Sequence, residues 1–458
     1  MSLTSGLYAA LSALQADQGA LAVVSNNISN VNTPGYSREI ANLDEAPPVS
    51  YDNLQFGTGT NLSSIQGVRD NVLLLRLNQE TQTQSQLNTF VNGLNQIQPL
   101  FNDSNGGGLE SYLSQFFNSF LQLSSDPTNA GYRQGVIEAG QNLASAVNQA
   151  ANGLLTQQQD ADQSVTQAVA QVNSLTGQIA SLNQQISSLQ GGGQTPNTLI
   201  DQRNELINQL SQIIDVRTIS ADQGSLTLTT AGGAALVVGN QSFQLTTQIN
   251  LATGFQDVNS QGADITSTIQ SGSLGGDLQL RDQEIPSILN NLNTLAYDVA
   301  NSVNSQSAVG YDLNGNPGGN FFTPPASLST AALDLSVSVS DPNLIAASSD
   351  GTPGNSDNAT ALANLADQTV VNGETPVNFY SAIVSQVGND TSNASSALTS
   401  QNLLVQQIQD QVGSVSGVSL DEEGANLIQY QNAYDAAARV ASVVASLFQV
   451  AINVGSTS

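Results

Sequence analysis

Apolar residues spaced for helix packing occupy both ends of this 458-residue chain, and no other feature restricts the fold as much. The first series runs Leu3, Leu7, Ala10, Leu14, Leu21, Val24, Ile28 and Val31, with Asp17 at the one position it skips. Near the other end Leu427, Tyr430, Tyr434, Ala437, Ala441, Val444, Phe448 and Ala451 keep the same alternation of three and four. That spacing sets the side chains on one face of an α-helix. Order normally fades at chain termini, so stripes placed there call for burial against each other and against further copies. Burying one leucine contributes about 1.5–3 kcal/mol, and a bare stripe of this length demands a partner. Asp17, the gap, is expected to face a polar partner or a channel.

Composition removes most chemistry. The eight basic residues are all Arg, and Lys, His, Cys and Trp are absent. Without His or Cys there is no ordinary zinc site, thiol nucleophile or imidazole base. Carboxylates, hydroxyls, Tyr and Arg remain, so an enzyme is disfavoured and no cofactor or metal is expected. A net charge of −28 leaves no basic footprint for nucleic acid and repels an acidic membrane surface. No run of about 20 apolar residues is found, and Met1–Ala16 lacks the basic start and apolar core of a secretory signal.

Between the ends the pattern is helical, then mixed. Residues 2–31 read as one helix, stopped by the Asn-rich segment 26–38. Thr33-Pro34-Gly35-Tyr36 suits a type II turn, with Pro34 fixing φ and Gly35 taking positive φ. Residues 39–65 look extended and loop-like. Helices are expected from Asp70 to Ile97 (Val72, Leu75, Leu87, Phe90, Leu94 and Ile97 inward), at 109–123, from Tyr132 to Leu155, and at 161–190. The last carries a heptad series from Val165 to Leu189, and 197–214 should return beside it as a hairpin. From Val216 the period changes. Ser225–Thr229, Ala235–Val238, Ser242–Leu245, Ala263–Ile269 and Leu335–Val339 read as strands, while 283–304, 357–370, 378–413 and 420–453 read as helix. The expected fold is mainly α with a β-rich insertion: terminal helices paired as a coiled coil, an elongated helical rod and a small outer β domain. Its parts are 1–36 and 419–458 (coiled coil), 37–215, 273–307 and 351–418 (rod), and 216–272 and 308–350 (β-rich).

The local motifs weigh toward structure. Asp312-Leu313-Asn314-Gly315-Asn316 has its Gly too early for a calcium loop and reads as a solvent turn. The glycine triplets at 106–108 and 191–193 follow helices and carry no Lys, so they do not cradle phosphate. Ser419 with Glu422 forms a capping box for the last helix, and Asp421, Glu422 and Glu423 suit its positive end.

The run Asn26-Asn27-Ile28-Ser29-Asn30-Val31-Asn32-Thr33-Pro34-Gly35-Tyr36-Ser37-Arg38 closely resembles the N-terminal signature of bacterial flagellar axial proteins, the rod, hook and hook-associated proteins. Val418 to Glu423, with Asn426-Leu427, Tyr430-Gln431, Ala433-Tyr434 and Ala436–Val440, looks like the C-terminal signature of the hook-associated members. Gly275-Gly276, Arg281-Asp282, Ile285-Pro286 and Asp312–Phe322 are similar as well. The resemblance implies a structural subunit of the hook–filament junction with no reaction, exported by the flagellar type III apparatus to an extracellular position. Implied partners are copies of itself in a helical ring, hook protein, the second hook–filament junction protein, and a cytoplasmic export chaperone on the C-terminal helix. The expected assembly interface is Leu3, Leu7, Leu14, Leu21 and Ile28, the turn residues Asn27, Asn30, Thr33, Pro34, Gly35 and Tyr36, and Leu427, Tyr430, Tyr434, Ala441, Val444 and Phe448. Alternatives are hook protein or a flagellin-like subunit, a coiled-coil adhesin, and a secreted glycan hydrolase that works with carboxylates.

Overall fold

The computed structural model describes residues 3–51, 54–102, 107–220 and 224–456; Gly106 of the first glycine triplet lies outside them. The N-terminal stripe folds as α1 (Leu3–Ser29). Four strands follow: β1 (Glu39–Glu45), β2 (Val49–Tyr51), β3 (Leu54–Phe56) and β4 (Thr60–Gly67). The segment expected as loop is therefore a ribbon, β1 antiparallel to β4 and β2 to β3, with a bulge at Asn42/Leu43. Helix α2 (Asn71–Ile97) is opened by the Asp70 carboxylate, which accepts from the Val72 and Leu73 N–H groups. Phe90, Leu94 and Ile97 are buried as expected, but Val72 and Leu75 are exposed. The first half of α2 buries Thr81 and Gln82 instead, and Gln82 donates to the Val216 carbonyl at 2.9 Å.

After α3 (Leu109–Ser125) comes α4 (Ala130–Gly191), a helix of 62 residues and roughly 93 Å at 1.5 Å per residue. The sequence divides this region in two because residues 156–160 are polar. They hold no breaker, and the buried face continues through Gln158, which donates to the Arg281 carbonyl at 2.7 Å. Helix α5 (Asn197–Ile213) then packs beside the far half of α4.

Seven short strands follow: β5 (Arg217–Ser220), β6 (Leu226–Thr229), β7 (Ala235–Val238), β8 (Gln241–Ser242), β9 (Leu245–Ile249), β10 (Gln256–Ser260) and β11 (Ala263–Asp264). They form two antiparallel sheets, ordered β5-β6-β7-β8 and β11-β10-β9. Ser242–Leu245 is the joint between two strands, and Ala263–Ile269 turns into a 3-10 helix after two residues. Leu228, Leu236, Val237 and Val258 share one core with Val165, Val172 and Ile179 of α4 and Leu210 of α5. Asparagines on the helix close the sheet edges. Asn173 exchanges two 2.8 Å hydrogen bonds with the Leu245 backbone, and Asn183 donates to the Leu226 and Gly239 carbonyls. Edge groups that would otherwise be buried unpaired are satisfied.

The chain returns through α6 (Gly272–Gln279), a π turn (Leu280–Glu284), α7 (Ile285–Ala308), α8 (Ala331–Asp334), α9 (Asp357–Asn364), α10 (Pro376–Ser416) and α11 (Leu420–Ser456). Gly276 lets α6 cross α2 closely: a Cβ there would stand 2.7 Å from the Gln86 carbonyl oxygen.

The β-rich reading of 308–350 is not what forms. The strand expected at Leu335–Val339 reduces to one bridge, Phe322 with Val337, and Tyr311 bridges Pro317 and Ser348. Helix side chains take the place of ladder partners. The buried Arg133 guanidinium donates to the Pro127, Pro342 and Ile345 carbonyls, and Asn304 exchanges two bonds with the Phe322 backbone. Phe321, Phe322 and Ile345 thereby join the helical core with Phe116, Phe120, Leu295 and Tyr380. The Phe116 ring lies 5.2–5.5 Å from Phe117, Phe120, Phe321 and Phe322. Phe116→Ala is expected to cost about 3–5 kcal/mol, read as a lower urea midpoint with assembly retained below it.

Candidate assembly site

Helices α1 and α11 pack along each other, and a polar elbow ties that pair to the rod. The elbow begins at the Asn-rich turn. The Tyr36 N–H closes the turn on the Thr33 carbonyl at 3.2 Å, and Gly35 takes φ +76°, as a type II turn requires. Asn30 donates to the Asn26 side chain and accepts from Thr33 Oγ1, holding the last turn of α1 in line. Asn27 is buried: its Oδ1 accepts from Tyr36 Oη at 2.8 Å and the Glu39 N–H at 2.9 Å, and its Nδ2 donates to the Glu39 carbonyl. One amide thus joins helix, turn and first strand.

The exit from the turn is anchored on α5. Ser37 donates from its N–H and Oγ to the Asp201 carboxylate at 3.0 and 2.8 Å, and Arg69 Nε donates to the same carboxylate at 2.8 Å. Burial pushes the Tyr36 hydroxyl well above its ordinary range, and the charges of Glu39, Asp201 and Glu423 add to this against Arg69. Tyr36 is a fixed neutral donor. Beside it a groove of about 650 Å³ is lined by Pro34, Tyr36, Leu182, Gln185, Asp201 and Leu206.

The other side of the elbow is the start of α11. The Arg38 N–H donates to the Ser416 carbonyl at 2.8 Å, and Arg38 Nη1 pairs with Glu422 at 2.8 Å. The capping box is therefore half made. Ser419 Oγ accepts from the Glu422 N–H at 3.4 Å, while the Glu422 carboxylate turns to Arg38. Glu423 is buried rather than solvated at the helix start. Asp17 is also largely buried, and its carboxyl is pushed up by that burial; no hydrogen bond or ion pair holds it among the described residues.

The two stripes face each other. Leu3, Leu7, Leu14, Leu21 and Ile28 are half-buried, as are Leu427, Tyr430, Ala441, Val444 and Phe448; Tyr434 is at the exposed edge. Of the turn residues, Asn30 and Tyr36 are half-buried, while Thr33, Pro34 and Gly35 are exposed. What sequence reading missed is a second apolar series on α11, one position earlier: Val440, Val443, Leu447, Val450 and Val454, each 47–67% exposed. It has the same 3/4 spacing, so the signal was present. By length and composition an 18-residue window within Pro376–Val454 is apolar enough to cross a membrane. The expectation of no such stretch fails because it counted unbroken apolar runs, and Arg439, Ser442, Ser446 and Gln449 interrupt this one.

No group of three His, Cys, Asp or Glu among the described residues is arranged to hold a metal. The segment 312–316 is the expected solvent turn, with Asn314, Gly315 and Asn316 exposed and the Asp312 carboxylate folded in beneath it to accept from the Asn314 and Asn316 N–H groups. Burial pushes the Asp312 carboxyl up, but hydrogen bonds from Asn316 and Asn314 outweigh that and hold it low.

Comparison with known proteins joins these features. Residues 94–322 match the helical domain of flagellar hook-associated protein FlgK, residues 7–36 a flagella basal body rod protein family, and residues 411–454 the flagellar basal body rod FlgEFG protein C-terminal family. Flagellar hook-associated protein 1 of Bacillus subtilis (strain 168) is 30% identical across 98% of this chain and 97% of its own length. The chain belongs to the flagellar hook-associated protein 1 family. The Salmonella typhimurium relative of that name is 29% identical across 97% of this chain and 99% of its own. The solved flagellar hook junction protein FlgK from Burkholderia pseudomallei shares the fold, with a TM-score of 0.68 at 20% identity, over 74% of this chain and 100% of that one. Members of the hook-associated protein 1 family are structural, non-enzymatic components of the bacterial flagellum, an extracellular appendage, and so is this chain. The glycan-hydrolase alternative is not favoured, because the relatives are structural flagellar proteins; in the groove, Asp201 is taken up by Ser37 and Arg69.

Proposed function

We propose that this chain polymerises at the hook–filament junction through its paired terminal helices, the bare α11 stripe of each copy packing on the α1–α11 pair of the next. The observation that carries the reading is the pair of stripes on α11: one is used within the chain, and the other, Val440, Val443, Leu447 and Val450, is left exposed by the described residues. Apolar area of that size is stabilised by contact with a like surface. The elbow built on Asn27, Tyr36 and Asp201 then sets the angle at which the rod leaves the inner layer, with the β unit outward. Hook protein and the second junction protein would meet the two ends of such a ring. Export through the flagellar type III apparatus, with a chaperone covering α11 beforehand, suits a helix that exposes this much apolar surface. A chain lacking residues 1–35 is expected not to assemble on isolated hook ends, scored by electron microscopy. Normal assembly of that chain would show that α1 is dispensable and sink the proposal.

A further inference from the structure

Helix α1 carries one charged residue, Asp17, and helix α11 carries one cation, Arg439. The acid is 8% exposed, at the place its apolar series skips between Leu14 and Leu21, and it forms no ion pair among the described residues. The single chain therefore already bears the cost of taking this carboxylate out of water. Arg439 is the reverse case. It is exposed, and it too forms no ion pair among the described residues, although Asp435 stands one turn before it. It adjoins Val440 and lies one turn before Val443, at the head of the bare stripe. Residues four apart share a helix face, so a copy that covers the stripe covers Arg439 as well. A guanidinium drawn into an apolar contact needs an acceptor, and a buried carboxylate needs a cation. Arg38, Arg69 and Arg281 are already ion-paired elsewhere.

We propose that Arg439 of one copy enters the α1–α11 seam of the next and pairs with its Asp17, setting the register at which neighbouring copies lock. This rests on the packing of the α11 stripe proposed above and names the contact that fixes it. Apolar residues repeating every three and four drive two helical surfaces together, but they tolerate a slip by one turn. A single buried polar pair does not, and it specifies the offset. The balance of desolvation favours this pair over one formed between two solvated groups. Asp17 has little water left to lose, since its burial is complete enough to hold its carboxyl above the ordinary range. Only the cation is dehydrated on assembly, and guanidinium is the more weakly hydrated of the two basic side chains. Its aliphatic stem can lie along Val440 and Val443 while the head reaches the seam. Asp435 is exposed and keeps its water, so it competes little for the same cation.

A double-mutant cycle on the full-length chain tests the pair, read once in the monomer and once in the polymer. Asp17→Asn removes a buried unpaired charge, so the urea midpoint of the monomer should stay or rise. The same change should raise the critical concentration for polymerisation about tenfold or more, measured by sedimentation. A change that merely loosened the fold would move both readings in the unfavourable direction. Arg439→Gln should raise the critical concentration by a similar factor with the midpoint unchanged. The two changes together should be no worse than either alone, whereas independent sites would multiply their factors. Multiplied factors, or native critical concentrations in both single variants, overturn the pair. Coupling of the same size in the urea midpoint would place the pair within one chain and overturn it too. Val443→Asp with Leu447→Asp separates this from the underlying packing. If that variant polymerises like the native chain, both readings fall. If it does not polymerise while Asp17→Asn and Arg439→Gln do so normally, the stripe remains the contact and only the pair is lost.

Discussion

Val443→Asp with Leu447→Asp is expected to abolish polymerisation while leaving the monomer folded. Both side chains lie on the bare face of α11. In the monomer the new carboxylates stay in water, and surface changes of this kind shift stability within about ±0.5 kcal/mol. In a polymer each would be buried against a neighbouring copy without a cation, since the chain has eight Arg against 36 acids. An unpaired buried charge costs roughly 3–5 kcal/mol, and the cost recurs at every subunit. The critical concentration should rise by more than about a hundredfold, measured by sedimentation alongside circular dichroism. Val444→Asp is the contrast. It lies one position on, in the face turned to α1, where Gly6 would approach it at 3.7 Å if it carried a Cβ. That change should lower helicity in the monomer itself. Polymerisation of the double Asp variant at native concentrations would mean that the outward stripe is not the contact.

The same neighbouring positions show how far the sequence could be read. Spacing alone announces an amphipathic helix, and α11 carries two such series in adjacent registers. The series beginning at Leu427 starts earlier and runs through more turns, so it hides the outward one. The Pro34-Gly35 turn was legible because only glycine takes its backbone angle cheaply. The partner that anchors it was not, since Asp201 lies 164 residues from Ser37 and one carboxylate on a helix carries no local mark. The same holds for Gln158, which looks like a polar gap in α4 until Arg281 is beside it. At 308–350 the alternation was real, but a strand also needs a ladder. Among the described residues the Leu335–Val339 backbone pairs only with Phe321 and Thr323, and Asn304 and Arg133 take the next backbone groups, at Phe322, Pro342 and Ile345, before a ladder can extend. Long-range side-chain-to-backbone bonds of this kind leave no period in the sequence, and this chain, rich in Asn and Gln, uses many.

Arg281→Met should be the most damaging single change in the far half of the molecule. The guanidinium is 1% exposed as a residue and grips three elements at once. Nη1 donates to Asp162 of α4 and to the Gln256 carbonyl of β10 at 2.6 and 2.7 Å. Nε and Nη2 hold Asp282 at 2.7 and 2.9 Å, and the Phe255 ring lies under the cation at 5.7 Å. Burial works against its charge, but Asp282 and Asp162 outweigh that and hold it above its ordinary range. Met preserves most of the volume and none of the donors, leaving Asp162 partly buried with the Gln256 N–H as its one donor among the described residues. Breaking one side of such a buried pair costs about 3–5 kcal/mol. The loss should be local, because the β unit shares its core with the far half of α4 and not with Phe116 and its neighbours. Hydrogen exchange is therefore expected to quicken in β9–β11 while amides of α3 keep their protection. Arg281→Lys should recover little, since an ammonium cannot span Asp162, Asp282 and a carbonyl with fixed forked geometry. Equal loss of protection in both cores would show instead that the rod unfolds as one unit, and that Arg281 holds the whole of it rather than the attachment of the β unit.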